Sequence, residues 1–200
     1  MSRIVAFVLA LSGLCLSASS QADDAEDKAA AFVTKRGGKV TRDEKAPGKP
    51  VITINLNGTG VTDADLKQLA ALKQLTTLDL RLTEVTDVGL KELATLKSLT
   101  TLHLSGKKVT DAWLKELATL KSLTTLELNS TGVTDAGLKE LATLRNLTSL
   151  NLGYTPVTDA GLKELAALKN LTSLNLLDTK VTDAGLKELQ QALPRCQISK

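Results

Sequence analysis

A single histidine, His103, stands in a chain of 200 residues. Metal centres built on imidazole and Ser-His-Asp hydrolases both need that side chain among converging partners. With one histidine, neither a His-based metal cluster nor a Ser-His triad can be assembled, and no other grouping of acid, base and nucleophile stands out. An enzyme is therefore not expected, and no metal or cofactor is called for. Five aspartates recur at an interval of 24 residues: Asp87, Asp111, Asp135, Asp159 and Asp183. A file of carboxylates could hold cations. Each one, however, follows a threonine, and a Thr-Asp pair at a helix start caps free N–H groups and sits at the positive end of the helix dipole. Capping is the simpler account. The Lys-Glu pairs from Lys91-Glu92 through Lys187-Glu188 read as a solvated helix face with modest pairing between neighbours. Four N-x-S/T sequons begin at Asn57, Asn129, Asn146 and Asn170, the last two following from the repeat itself.

The regular spacing of these residues shows what must position them. From Val51 the chain falls into six units of 24 residues, starting at Val51, Leu75, Leu99, Leu123, Leu147 and Leu171. The unit reads L-x-x-L-x-L-x-x-T-x-V-T-D-x-G-L-K-x-L-x-x-L-x-x. In the copy Leu75–Ser98, Leu78 and Leu80 alternate with polar residues, the signature of a short strand with one buried face. Leu90, Leu93 and Leu96 are spaced by three, which predicts a helix with one apolar stripe, and Thr86-Asp87 lies between the two elements. Gly89 is a poor helix former and is expected where the chain crowds a neighbour. One unit offers about seven buried apolar side chains, each contributing roughly 1.5–3 kcal/mol. Ordering its backbone costs on the order of 1–2 kcal/mol per residue, so a unit cannot fold alone and must share a core with stacked neighbours. Aromatics make up only 2% of the chain, which leaves that core to Leu, Val and Ala. Parallel strands pack ~4.8 Å apart and helices ~8–10 Å apart. The stack should therefore bend, with strands inside.

This unit resembles a leucine-rich repeat, whose general form is L-x-x-L-x-L-x-x-N/C-x-L. Its T-D-x-G-L continuation resembles the subclass found in F-box proteins and in secreted or periplasmic bacterial repeat proteins. The resemblance covers Val51 to about Leu193. It implies an α/β fold: a right-handed, curved solenoid forming a segment of a horseshoe, with parallel strands on the concave face and helices on the convex face. Threonine takes the place of the usual Asn or Cys at Thr59, Thr83, Thr131, Thr155 and Thr179, while Lys107 interrupts that row and suggests a looser third turn. No F-box-like segment is read before the repeats, so ubiquitin-ligase activity is not carried over.

The ends read differently. Residues 1–22 have the layout of a signal peptide: Arg3 is the only charge before Asp23, Ile4–Leu16 is apolar, and Ser20-Gln21-Ala22 offers a cleavage site. Cleavage after Ala22 would send the protein to the periplasm or outside a bacterial cell. Leu14 precedes Cys15 where lipoprotein processing needs a small residue. Removal of Cys15 would leave Cys196 alone, without an intramolecular disulfide. No later segment approaches the ~20 apolar residues of a membrane span. Residues 23–50 are expected to form an N-terminal cap and linker. A helix through Ala29, Ala30, Phe32 and Val33 would end at Gly37-Gly38, Lys39–Arg42 would form a short strand, and Phe32 would lie over the open core. Residues 51–192 hold the repeats, and 193–200 a half-repeat cap with Cys196 buried in a leucine slot.

Function, on this reading, lies in the variable positions of the strand side, which fall into three rows. The first is Asn55, Asp79, His103, Glu127, Asn151 and Asn175. The second is Asn57, Arg81, Ser105, Asn129, Gly153 and Leu177. The third is Gly58, Leu82, Gly106, Ser130, Tyr154 and Asp178. Two groups resemble binding anchors: Tyr154 with Leu177 and Asp178, and Arg81 with Leu82, Glu84, His103 and, in the same row as His103, Glu127. Tyr and Arg are enriched at binding hot spots, although isolated exposed apolar residues are ordinary. Trp113 occupies the slot held by Gly89, Gly137, Gly161 and Gly185, so its indole is expected to be at least half exposed, anchoring a partner or covering local apolar surface. The net charge of +3, with acids and bases interspersed, gives no case for nucleic acid. A monomeric, non-catalytic scaffold binding an unidentified protein through the concave face is expected. The alternatives are a cell-wall polymer or glycan binder and a structural envelope component without a specific partner.

Overall fold

The computed structural model describes residues 24–200; the expected signal peptide and Cys15 lie outside them. Eight strands form one open sheet in chain order. β1 (Lys39–Arg42) pairs antiparallel with β2 (Val51–Asn55). Thereafter β3 (Thr77–Asp79), β4 (Thr101–His103), β5 (Thr125–Glu127), β6 (Ser149–Asn151), β7 (Ser173–Asn175) and β8 (Gln197–Ser199) add in parallel. The register advances one repeat per strand, so Ile54, Leu78, Leu102, Leu126, Leu150, Leu174 and Ile198 form a single file. With Leu80, Leu104, Leu128 and their equivalents they face the helices and make one continuous core.

Opposite the strands run α2 (Asp63–Leu66), α3 (Asp87–Leu90), α4 (Leu114–Leu117), α5 (Asp135–Leu141), α6 (Asp159–Leu165) and α7 (Asp183–Ala192); α1 spans 24–35. The three-residue spacing of leucines has a local consequence. After α2 and α3 the chain tightens into 3-10 turns, Lys67–Ala71 and Lys91–Thr95, whose period of three keeps Leu90, Leu93 and Leu96 in line. All three are buried.

The Thr-Asp pairs do more than cap their own helices. In each junction the aspartate of one repeat accepts two hydrogen bonds from the threonine of the next. Thr86 N–H and Oγ1 both donate to Asp63 at 2.7 Å. Thr134 donates to Asp111 at 2.8 and 2.6 Å, as do Thr158 to Asp135 and Thr182 to Asp159; Thr110 and Asp87 pair in the same way. Thr86, Thr110, Thr134 and Thr158 meanwhile accept the N–H two residues on, opening the helix. In the repeats that keep it, the buried glycine of the motif leaves room for the aspartate: a Cβ on Gly89 would lie 2.4 Å from Asp63 Oδ1, and one on Gly161 2.4 Å from Asp135 Oδ1.

The ends of this ladder are improvised. Thr62 has no preceding repeat and donates instead to Asp65 of its own helix, at 2.9 Å, which Arg36 of the N-terminal region also binds at 2.5 Å. At the far end Asp183 meets Lys200 Nζ at 2.9 Å. Val33 and Ala29 of α1 are fully covered and close the first repeat. Phe32, expected over the open core, is only half-buried at its rim, with the Arg36 guanidinium 5.4 Å from its ring centre. β8 closes the other end with Leu193 and Cys196 buried. Cys196 is a free thiol, and burial pushes its pKa up. Among the described residues no helix is long and apolar enough to cross a membrane.

Candidate interaction surface

The first strand row divides by chemistry. Asn55, Asp79, Asn151 and Asn175 each accept, at 2.9–3.0 Å, the backbone N–H two residues on. These are Asx turns, in which a short side-chain oxygen imitates a backbone carbonyl and folds the chain out of the strand. Those four positions therefore serve the turn. His103 and Glu127 do not make that bond, which leaves their side chains to the surface. They are register partners on β4 and β5, and His103 pairs on its other side with Asp79.

The structure brings Asp79, Arg81, His103 and Glu127 together. Buried Asp79 is clasped by Arg81 through Nε at 3.0 Å and Nη2 at 2.6 Å. Burial alone would raise the pKa of the Asp79 carboxyl, but the Arg81 hydrogen bonds and charge outweigh it and hold the pKa below the ordinary carboxylate value. His103 Nδ1 lies 3.8 Å from Asp79 Oδ2, too far for a hydrogen bond, and has no other partner among the described residues. Glu127 Oε2 accepts from Asn151 Nδ2 at 2.7 Å, extending the polar strip towards the C-terminal repeats.

The third row has a property that residue types alone do not reveal. All six members have left-handed backbone: Gly58 (φ 70°), Leu82 (54°), Gly106 (105°), Ser130 (59°), Tyr154 (59°) and Asp178 (54°). The conformation turns the N–H of Gly58, Ser130 and Tyr154 onto carbonyls of the following repeat at 2.8–3.0 Å. Glycine adopts it freely, whereas other L-residues lose roughly 1–2 kcal/mol there. Yet Leu82 is 75% exposed and Tyr154 49%, beside Leu177 at 44%. Tyr154 N–H donates to the Leu177 carbonyl at 2.8 Å, so Tyr154, Leu177 and exposed Asp178 do form one group. Lys107, expected to loosen the third turn, lacks the threonine hydroxyl bond that Thr59, Thr83, Thr131, Thr155 and Thr179 make to the carbonyl three residues back. Its ammonium instead reaches forward to the carbonyls of Thr131 and Tyr154, both at 3.1 Å.

Trp113 corrects the sequence reading. Expected to be at least half exposed, it is 1% exposed and cannot be a surface anchor. The glycine slot is buried against the preceding aspartate, so glycine there signals lack of room and not access to solvent. In the third repeat the helix starts with a 3-10 turn, Asp111–Trp113, before α4, and the indole fills the core with its Nε1–H unpaired among the described residues. Val88 was not singled out by sequence. It stands, 68% exposed, where other repeats have Ala64, Ala112, Ala136, Ala160 and Ala184, and that break in pattern was the available signal.

Residues 73–94, 119–142, 143–166 and 167–189 match the family model described as leucine-rich repeat. An internalin of Listeria monocytogenes has a similar solved structure: TM-score 0.60 and 25% identity over 73% of this chain. The present chain spans 39% of that internalin chain. No curated protein matches. With the parallel ladder and the repeating leucine files, these matches establish the class: the chain is a leucine-rich-repeat protein, folded as an open solenoid.

Proposed function

We propose that this protein is a non-catalytic scaffold, working in the periplasm or outside the cell, that binds a protein partner through its strand face and the adjoining turn edge. Leucine-rich-repeat solenoids are in general protein-interaction scaffolds, which supports the coarse reading; the finer one is carried by Leu82 and Tyr154. Glycine would occupy their left-handed positions without strain, as Gly58 and Gly106 do. Large apolar side chains held out to solvent at a conformational cost serve nothing in the fold, and such strain concentrates where a protein meets its ligands. Tyr154, Leu177 and Asp178 form one end of the surface, and Arg81, Leu82, His103 and Glu127 the other. The charge and apolar pattern of residues 1–22 supports export, and the protein acts as a monomer. Affinity capture from the envelope fraction of the source organism, with wild type against Tyr154→Ala/Leu177→Ala, tests the reading. A protein retained by the first and lost by the second is expected. Retention of nothing, or of glycan alone, rejects it.

A further inference from the structure

The basic residues that follow each helix form a second surface. Lys73, Lys97, Lys121, Arg145 and Lys169 recur every 24 residues and are all exposed. They line the edge where helices return to strands, opposite the left-handed turns. Among the described residues none of them is in a salt bridge. Lys97, Lys121 and Lys169 do touch the next repeat, but at neutral oxygens: Thr119 Oγ1 (3.1 Å), the Thr143 carbonyl (3.4 Å) and the Ala192 carbonyl (3.2 Å). Such contacts satisfy helix ends and leave the charge uncancelled. The aspartates of the Thr-Asp ladder sit at the opposite ends of the same helices, so those acids and these bases lie on separate edges.

The row is also held in place. The residue after three of the five cations ties its backbone to the previous repeat: Ser98 Oγ donates to the Lys73 carbonyl, Asn146 Nδ2 to that of Lys121 and Asn170 Nδ2 to that of Arg145, each at 2.8 Å. At the centre, Lys121, Arg145 and Asn146 flank a groove floored by Ala142, Thr143 and Ala167. Because they recur once per repeat, successive cations are stepped by a distance between the ~4.8 Å spacing of strands and the ~8–10 Å spacing of helices, one positive charge on each of five consecutive repeats.

We propose that this file is a docking track for a linear acidic polysaccharide, whose carboxylate or sulfate groups recur along the chain and meet successive cations. Single-stranded nucleic acid fits less well, because its binding relies on aromatic platforms for the bases. Of the aromatics among the described residues, Trp113 is buried, Phe32 lies under Arg36 and Tyr154 is on the other edge. A duplex presents two lines of phosphates, and a single file of cations answers only one. The track is separate from the protein-binding surface and stands or falls independently of it.

The test is fluorescence anisotropy of a labelled heparin dodecasaccharide titrated with the purified protein at increasing salt. Lys121→Gln/Arg145→Gln is expected to weaken binding about tenfold at about 50 mM salt and to lower the salt slope by about one to two. Lys115→Gln/Lys139→Gln, on the neighbouring helix row beside glutamates, is expected to change it less than about twofold. Lys97→Gln/Lys169→Gln repeats the test with other side chains should the first pair misfold. Equal losses from the track and the helix row, or no binding by wild type, overturn the proposal. So does tighter binding of oligothymidylate than of the saccharide.

Discussion

Gly161→Ala exchanges the poorest helix former after proline for the best, which in an open helix would stabilise by roughly 1 kcal/mol. Here the opposite is expected. The new Cβ would lie 2.4 Å from Asp135 Oδ1, 2.8 Å from Leu138 Cδ1 and 3.1 Å from Asp135 Cα. Leu138 can rotate its tip aside. The carboxylate is pinned by Thr158 N–H at 2.8 Å and Oγ1 at 2.6 Å, and the Cα belongs to the backbone. Relief must come from breaking the staple or parting two repeats. Overpacking of this kind costs about 1–3 kcal/mol, and loss of two hydrogen bonds to a half-exposed carboxylate costs about 2 kcal/mol. Setting the propensity gain against these gives a net loss of about 2–4 kcal/mol, or a melting temperature lower by at least about 4–8 °C for a chain this size. The mechanism makes a sharper demand. Asp135→Ala removes the carboxylate that the new methyl strikes, so Gly161→Ala should cost about 1 kcal/mol less in that background. Circular dichroism melts of the two single variants and the double variant measure the coupling. A Gly161→Ala protein that melts higher, or losses that add within about 0.3 kcal/mol, would refute the reasoning.

Other outcomes follow from the same geometry. Trp113 is the only tryptophan, so native emission should be blue-shifted and shielded from acrylamide; Trp113→Ala should cost about 3–5 kcal/mol. Solvent-like emission would contradict the buried placement. Leu82→Gly and Tyr154→Gly relieve left-handed strain but loosen the unfolded chain, and should raise stability by up to about 1 kcal/mol while weakening partner capture. A drop in melting temperature would mean that these side chains support the fold. For pH, Asp65 and Asp79 have lowered folded pKa values. Burial opposes ionisation at both, but the Thr62 backbone and Arg36 outweigh it at Asp65, and Arg81 does so at Asp79. A depressed carboxylate gives stability that is complete above its unfolded pKa of about 3.9 and disappears as pH falls through the lower folded value. Melts from pH 5 downward should show that loss, and Arg36→Gln/Arg81→Gln should flatten it; an unchanged acid limb would count against these pairs.

The fold was legible because the repeat multiplies weak signals. One L-x-x-L-x-L segment is ambiguous, but copies in phase every 24 residues leave one arrangement that buries every leucine. Gly89 was rightly read as a mark of crowding, although the crowding group, Asp63 of the previous repeat, is visible only in three dimensions. Trp113 went astray by inverting that inference: glycine excludes a Cβ near an aspartate, and a change of helix type can move the chain enough to admit an indole. The surface was legible in part. The rows were correctly traced, but Asn55, Asp79, Asn151 and Asn175 proved to be turn-formers, and the strain at Leu82 and Tyr154 depends on φ, which residue types do not report. The cationic file is hidden in the sequence because each of its residues has acids nearby along the chain, and only stacking of the repeats sets the cations side by side.

The Asp-to-Thr staple has a direction: every repeat offers a carboxylate forwards and a threonine backwards, so each junction is interchangeable with the next. Excision or insertion of one whole 24-residue unit inside the array regenerates a complete junction, since whichever threonine arrives finds an aspartate waiting. The exceptional pairs, Thr62 with Asp65 and Asp183 with Lys200, stay at the termini and close an array of any length. Recombination between neighbouring copies of the coding sequence would therefore lengthen or shorten this solenoid and leave every staple complete. The number of units, and with it the length of both edges, is not set by the staples themselves.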